Sequence, residues 1–399
     1  MRPDRLTPDV RAGSNRTVFL DVARVFAALL VFYSHLYNDF IHAHKGAPVP
    51  PADWFQSSVL DQLKLDEGLG TVAVPIFFLL SGFVITPVAL RRGAVRFGVY
   101  RVVRLYPMLI VAVTICAVLL SIGRYNPLST LPQEVSVGSF LSNMSLWNFI
   151  DRPFGAWVAV AWTLAVEFLF YGLIILVLPL LRRKVWLAIT AQLALVLVLI
   201  LTHRLVAADE YRAFAMNMTW VLIPVIGQII WAAWHRRIPA WLAALFVTAA
   251  WLMFSWGEKL AIDPTNNPKP YPLTIALVLF MIGLLAEPYL KPRRIWTELS
   301  RRSYGIFLLH GTVAFPLMHL LFDELPMWQS VPIAVGGTLL VNELCFHLID
   351  RPSDRLARHL SRARRPEEPP PPPPPTPVRL PVPAGPPASE RGRKRRVAR

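Results

Sequence analysis

Residues 17–38 read TVFLDVARVFAALLVFYSHLYN, and this run decides the class of fold. Its apolar length matches the ~20 residues a helix needs to cross a hydrocarbon core. It follows Arg11 and Arg16, and Tyr37-Asn38-Asp39 makes a poor signal-peptidase site, so the run reads as an uncleaved membrane helix. Working outward, similar runs lie near residues 71–90, 103–122, 157–179, 185–202, 214–234, 238–256, 271–287, 303–322 and 331–349. The expectation is an all-α fold, a polytopic bundle of about ten transmembrane helices. Composition agrees. The 399 residues are 54% hydrophobic and 17% charged, with mean hydropathy +0.45, too apolar for an ordinary soluble domain.

The net charge of +16 lies in short clusters between the apolar runs, which suits a lipid bilayer and not nucleic acid. One set of connections holds Arg91, Arg92, Arg96, Arg101 and Arg104, then Arg182, Arg183 and Lys184, then Arg236 and Arg237, then Lys291, Arg293, Arg294, Arg301 and Arg302. Only Glu287 and Glu298 face them, whereas the alternate, longer connections carry more acids than cations. The positive-inside rule then places the basic set and both termini in the cytoplasm, N-in and C-in. Residues 1–16 read as a cytosolic N-terminal segment and 17–350 as the membrane domain. Residues 351–399 read as a basic, proline-rich, disordered cytosolic tail, with prolines 369–375 unbroken and Arg393-Lys394-Arg395-Arg396 near its end. Such a tail suits anionic lipid or a proline-recognising partner. Cys116 and Cys345 sit inside apolar runs and read as packing residues, and no metal site is expected.

Ionisable side chains inside a span cost several kcal/mol, so each needs a partner or a function. In the first helix Arg24 and His35 are eleven residues apart, which returns them to nearly one face about 16 Å apart. Asp21 stands one turn from Arg24 and can pair with it. A snorkelling arginine with an interfacial histidine fits the same spacing. In the fourth helix Thr163, Glu167 and Tyr171 form one stripe with a carboxylate near mid-membrane, where it could orient an imidazole or accept a proton. In the ninth, Ser303 and His310 share a face, with His310 about a third of the way up at the depth of Arg24. A satisfied interhelical histidine is the plainer reading there. Glu343 and His347 pair at i, i+4 and read as structural. Arg101 and Arg104 lie on one face at the membrane surface, suited to the phosphates of a nucleotide-like ligand or to lipid phosphate.

Together these segments resemble the acyltransferase-3 family of bacterial membrane acyltransferases. The resemblance rests on Arg24 and His35 with ten residues between, on Pro75 through Thr86 including Ser81, and on Arg101-Val-Val-Arg104-Leu-Tyr-Pro107. It continues through Trp162-Thr163-Leu-Ala-Val-Glu167 closing on Tyr171, Ser303-Tyr-Gly-Ile-Phe-Leu-Leu-His310, and Asp350-Arg351-Pro352. It covers about residues 17–352 in order. Two departures are Phe168-Leu169 after the glutamate and Ser34 before the histidine.

The resemblance implies transfer of an acyl group, acetyl foremost, from cytosolic acyl-CoA to a hydroxyl of a carbohydrate, glycolipid or other cell-envelope acceptor, in the bacterial cytoplasmic membrane. Acyl-CoA is the implied donor cosubstrate, with no permanently bound cofactor. On this reading His35 is base or acyl carrier and Glu167 fixes its tautomer. Arg101 and Arg104 hold CoA phosphates, and Arg24 holds phosphate or polarises the thioester carbonyl. Asp21, Ser81, Trp162, Tyr171, Ser303 and His310 are supporting residues. A proton-coupled transporter or flippase of an envelope precursor is the rival, since the same buried groups could form a proton path. A lipid-bound scaffold would explain the tail but not Glu167.

Overall fold

The computed structural model describes residues 17–123, 134–150, 155–203, 205–206, 208–260 and 270–361. Residues 1–16 and the tail beyond Ser361, including its proline run, lie outside the described residues. Among the described residues all regular structure is helical, and ten helices are long and apolar enough to cross a membrane. In chain order, spans 1 to 10 are Val18–Ala43, Gly70–Arg92, Ala94–Ser121, Ala159–Arg183, Val185–Thr202, Asp209–Trp234, Ala240–Gly257, Pro270–Tyr289, Arg294–Leu321 and Met327–Leu360. The protein is thus a multi-pass membrane bundle. Because successive spans reverse direction, the arginine-rich connections gather at one end, called here the basic end.

Spans 2 and 6 pack backbone to backbone, and glycine makes this approach feasible. A Cβ on Gly82 would meet the Pro224 carbonyl oxygen at 1.8 Å, and one on Gly227 would meet that of Leu79 at 2.2 Å. Small residues at such crossings replace the hydrophobic drive that lipid cannot supply. Span 1 lies against spans 2 and 9 and is held at both ends. At the basic end the Glu287 carboxylate accepts from the Val18 and Phe19 amides at 2.8 and 2.7 Å, capping a helix whose own N-cap, Thr17, makes no side-chain bond. Farther along, Ser34 abuts Gly70, where an added Cβ would stand 2.9 Å from its side chain. The Ser34 hydroxyl donates to the Glu67 carbonyl at 3.1 Å. A small residue at position 34 therefore has a packing reason.

Four spans differ from their sequence bounds in ways that matter, and one of them, span 3, begins as early as Ala94. Span 1 continues as a π-helix from His35 to His44. Span 9 begins at Arg294, nine residues before Ser303. The last span runs beyond Ile349 as a helix, Arg351–Leu360, which packs on span 3 near the basic end. Arg92 there donates to the Ser361 hydroxyl. Glu343 receives a bidentate pair from Arg302 at 2.6 and 2.8 Å and contacts His347 at 3.0 Å, a structural clamp between spans 9 and 10. Neither Cys116 nor Cys345 forms a disulfide.

Between spans 3 and 4 the chain folds back on the bundle. Ser136 caps the helix Val137–Ser145, and Leu146 closes it in the left-handed region at φ 65°. Buried Asn143 then ties the return: its amide donates to the Gly155 carbonyl at 3.2 Å, and its oxygen accepts from the Trp157 amide at 2.9 Å. This delivers Ala159–Ala161 as the first turn of span 4.

The spans 2–6 contact makes a direct prediction. Gly82→Ala is expected to lower stability by about 1–3 kcal/mol or more, because backbone must move to admit the methyl group. Gly336→Ala meets nothing within 4 Å and serves as the neutral control. Thermal unfolding midpoints in detergent decide it.

Candidate active site

Polar side chains inside the bundle fall into two layers. The first, away from the basic end, centres on two histidines. His35 of span 1 and His310 of span 9 meet edge-on with ring centroids 5.1 Å apart and planes at 85°. Phe32 and Phe307 pack against the His310 ring at 5.4 and 6.3 Å. His310 is fully buried. Its Nδ1 lies 3.3 Å from the Ile306 carbonyl oxygen, and its Nε2 has no hydrogen-bond partner. The His35 side chain stays 27% exposed, and its Nδ1 lies 3.7 Å from the Asp39 carboxylate. That is beyond hydrogen-bond length, but close enough for the carboxylate to bias the ring toward the tautomer protonated on Nδ1, with Nε2 free to take a proton. His35, His310, Thr312, Phe315 and residues 158–160 line a void of about 10 Å³.

Beyond this layer, the Tyr37 hydroxyl donates to Asp53 at 2.5 Å. That bond, helped by the Val49 amide, holds the Asp53 carboxyl below the ordinary carboxylate range.

The second layer lies nearer the basic end. Ser81 donates to Glu167 at 2.7 Å. Asp21 contacts Arg24 at 3.8 Å and accepts from Ser300 at 2.9 Å, and Ser303 donates to the Ser300 carbonyl at 2.9 Å. Arg101 is buried against aromatic faces, with its guanidinium 5.1 Å from the Tyr171 ring centre and 5.7 Å from those of Phe97 and Tyr100. Its Nε has no partner. Arg104 donates to the Tyr100 hydroxyl at 3.1 Å, which in turn donates to Asp354 of the last helix at 3.3 Å. Tyr304 ties span 9 to span 3 through the Leu105 carbonyl at 2.9 Å. Trp162 packs edge-on against Trp220 and Phe78 at 5.0 and 6.1 Å, joining spans 2, 4 and 6.

Three sequence expectations change. Glu167 does not orient His35. Gly70 stands level with Ser34, and Ser81, eleven residues farther along span 2, lies about 16 Å toward the basic end. Glu167 bonds to that serine, so the carboxylate beside His35 is instead Asp39. His310 is not at the depth of Arg24, because span 9 starts early and sixteen residues of helix, about 24 Å, precede the ring. Ser300 occupies the Arg24 level. Arg101 and Arg104 are not at the surface, since span 3 starts at Ala94 and carries them about 10 and 15 Å inward. Asp39 escaped notice as a functional residue, although His35 and Asp39 stand at i, i+4. Phe168, one of the two departures, packs on Tyr106 at 5.2 Å and Tyr171 at 5.5 Å.

A membrane bundle with a partly accessible imidazole beside a buried one in one layer, and arginines in another, has groups suited to the acid–base and anion-binding work of a multi-pass enzyme. The profile of the acyltransferase-3 family, described as an acyltransferase domain, matches residues 17–345, and the chain belongs to that family. It is 28% identical over 369 residues to "Nodulation protein 10" of Rhizobium leguminosarum bv. viciae, covering 85% of this chain and 94% of that protein. It is 26% identical over 307 residues to "Exopolysaccharide production protein ExoZ" of Rhizobium meliloti (strain 1021), covering 73% and 91%. No solved structure matches the chain. The protein is therefore a membrane acyltransferase.

If Asp39 sets the His35 tautomer, Asp39→Asn should lower acyl-transfer turnover about tenfold with little change in donor KM. That is short of the ~10²–10⁴ expected from losing a base itself. Steady-state kinetics of the purified variant make the comparison.

Proposed function

We propose that this chain is an O-acyltransferase of the bacterial cytoplasmic membrane. It moves an acyl group, acetyl foremost, from cytosolic acyl-CoA to a hydroxyl of an envelope carbohydrate or glycolipid. The observation that carries this reading is the pair of polar layers about 16 Å apart, in a chain of acyltransferase family. The names of its relatives, one a nodulation protein and one an exopolysaccharide production protein, favour a carbohydrate acceptor.

The basic end faces the cytosol by the positive-inside rule. Arg101 and Arg104 then hold CoA phosphates, Arg24 supports the donor from the same layer, and the pantetheine arm carries the thioester to His35. The acceptor oxygen attacks the thioester carbon while its proton passes to His35 Nε2. The carbon–sulfur bond breaks, and the imidazolium returns that proton to the departing thiolate, leaving an ester and free CoA. A sugar hydroxyl is too weak a nucleophile to react without such a base, and neutral imidazole suits the task. Glu167, bonded to Ser81, belongs with the donor layer on this reading. The tail beyond Ser361 has the composition to touch anionic lipid or a proline-recognising partner.

Purified protein in detergent with acetyl-CoA should release free thiol. His35→Ala should abolish release while the protein still inserts, and wild-type release by that variant would remove His35 from the mechanism. Arg104→Ala should raise donor KM about tenfold or more, and an unchanged KM would make it a structural residue only. Absence of acyl-CoA binding by folded protein would return the transporter reading to the fore.

A further inference from the structure

The void beside the two histidines is furnished on both sides for one oxygen atom. At about 10 Å³ it holds a single water-sized group. On one side stands the start of span 4. Ala159 and Val160 open that helix, so no carbonyl of a preceding turn awaits their N–H groups, and the positive end of the helix dipole lies there. On the other side stands His310. Its Nδ1 faces the Ile306 carbonyl, which accepts only if that nitrogen carries the proton, so Nε2 presents a lone pair. That Nε2 is fully buried and without a partner.

The void is thus bordered by a helix start, whose first N–H groups have no intrahelical acceptor, and by a residue with an open acceptor, a pairing complementary to a hydroxyl, which can accept from one and donate to the other. It is poorly matched to an anion, which would meet the Nε2 lone pair, or to an apolar group, which would leave both walls unsatisfied. His35, whose Nε2 serves the reacting hydroxyl, borders the same void but stays accessible. A ligand that reacts at His35 and also fills the void carries two hydroxyls, and with the two imidazole centroids only 5.1 Å apart a pair on neighbouring atoms suits the spacing.

We propose that the void between His310 and the first turn of span 4 seats a second, non-reacting hydroxyl of the acceptor, so that the enzyme selects vicinal diols. This rests on the assignment of His35 as the acyl-transfer site. His310 is thereby a substrate-binding residue of the acceptor side. Monofunctional alcohols of similar size leave a buried donor and acceptor unpaired and are disfavoured, as in any site built to bind a substrate hydroxyl.

The test uses the full chain in detergent with acetyl-CoA, and compares propane-1,2-diol with 1-propanol as acceptors by free-thiol release above hydrolysis. The diol should be preferred at least about tenfold in kcat/KM. In His310→Phe, which keeps an aromatic ring among Phe32 and Phe307 but loses Nε2, the preference should fall below about threefold. His310→Gln restores an acceptor oxygen and should regain part of it. Ala159→Pro removes one N–H at a position where proline is tolerated, after the extended Val158, and should weaken the preference without unfolding the helix. Equal response to the two alcohols with release dependent on His35 overturns the diol seat alone. So does a preference that survives both His310→Phe and Ala159→Pro. Loss of all release in folded His310→Phe also overturns it, by placing His310 in the reacting centre. Release that survives His35→Ala, or no release by the wild type, overturns the site assignment and the diol seat together.

Discussion

The height at which span 1 sits in the bundle governs which polar groups can meet. It is set by two contacts far apart in sequence. A carboxylate from Glu287 grips the first amides of the helix, and Ser34, ten residues beyond Arg24, rests against Gly70. With both ends fixed, Arg24 and His35 take fixed depths about 16 Å apart. Every other polar group finds its level against them: Ser300 beside Asp21, and His310 beside His35. Lipid offers no water to rescue a misplaced group, so a shift of even one turn would leave ion pairs and imidazoles facing hydrocarbon.

This constraint explains how much of the molecule could be read before its structure was known. The spans were legible because hydrocarbon thickness imposes one length on every crossing, and nothing tertiary can override it. Val185–Thr202 falls where its apolar run does. The pairing of Asp21 with Arg24, and of Glu343 with His347, was legible because both follow from helical spacing within one span. What failed were statements about relative depth across spans. Hydropathy marks where the apolar stretch begins, but span 9 starts among polar residues, at Arg294, and so carries His310 farther than its apolar run implies. The partner of Glu167 depends on the register of span 2 against span 4, which no single-helix periodicity contains.

The two layers also differ in how their charges are held. In the layer nearer the basic end Glu167 pairs with Ser81, Asp21 with Arg24 and Ser300, and Arg104 with Tyr100, while Arg101 Nε has no partner. Arg101 lies against aromatic faces, an arrangement in which cation–π attraction offsets part of the cost of burying charge. In the histidine layer His35 faces Asp39, while Nε2 of His310 has no partner. Buried polar atoms without partners are costly and uncommon, and they gather where a ligand completes them. Each layer keeps one such atom open, Arg101 Nε in one and His310 Nε2 in the other.

The glycine seam between spans 2 and 6 bears on how the molecule can move. Two backbones that touch through Gly82 and Gly227 cannot slide past one another by a fraction of a turn, since each carbonyl would strike the opposite chain. The seam is therefore a rigid spine, and any breathing that admits or releases a ligand must occur at the margins around it. Two such margins are joined to the bundle by a few polar ties and not by interlocked backbone. One is the folded-back segment held by Asn143, and the other is the terminal helix resting on span 3 through Tyr100 and Arg92. The fold thus sets a stationary axle between two lightly tied leaves, one toward each end of the bundle.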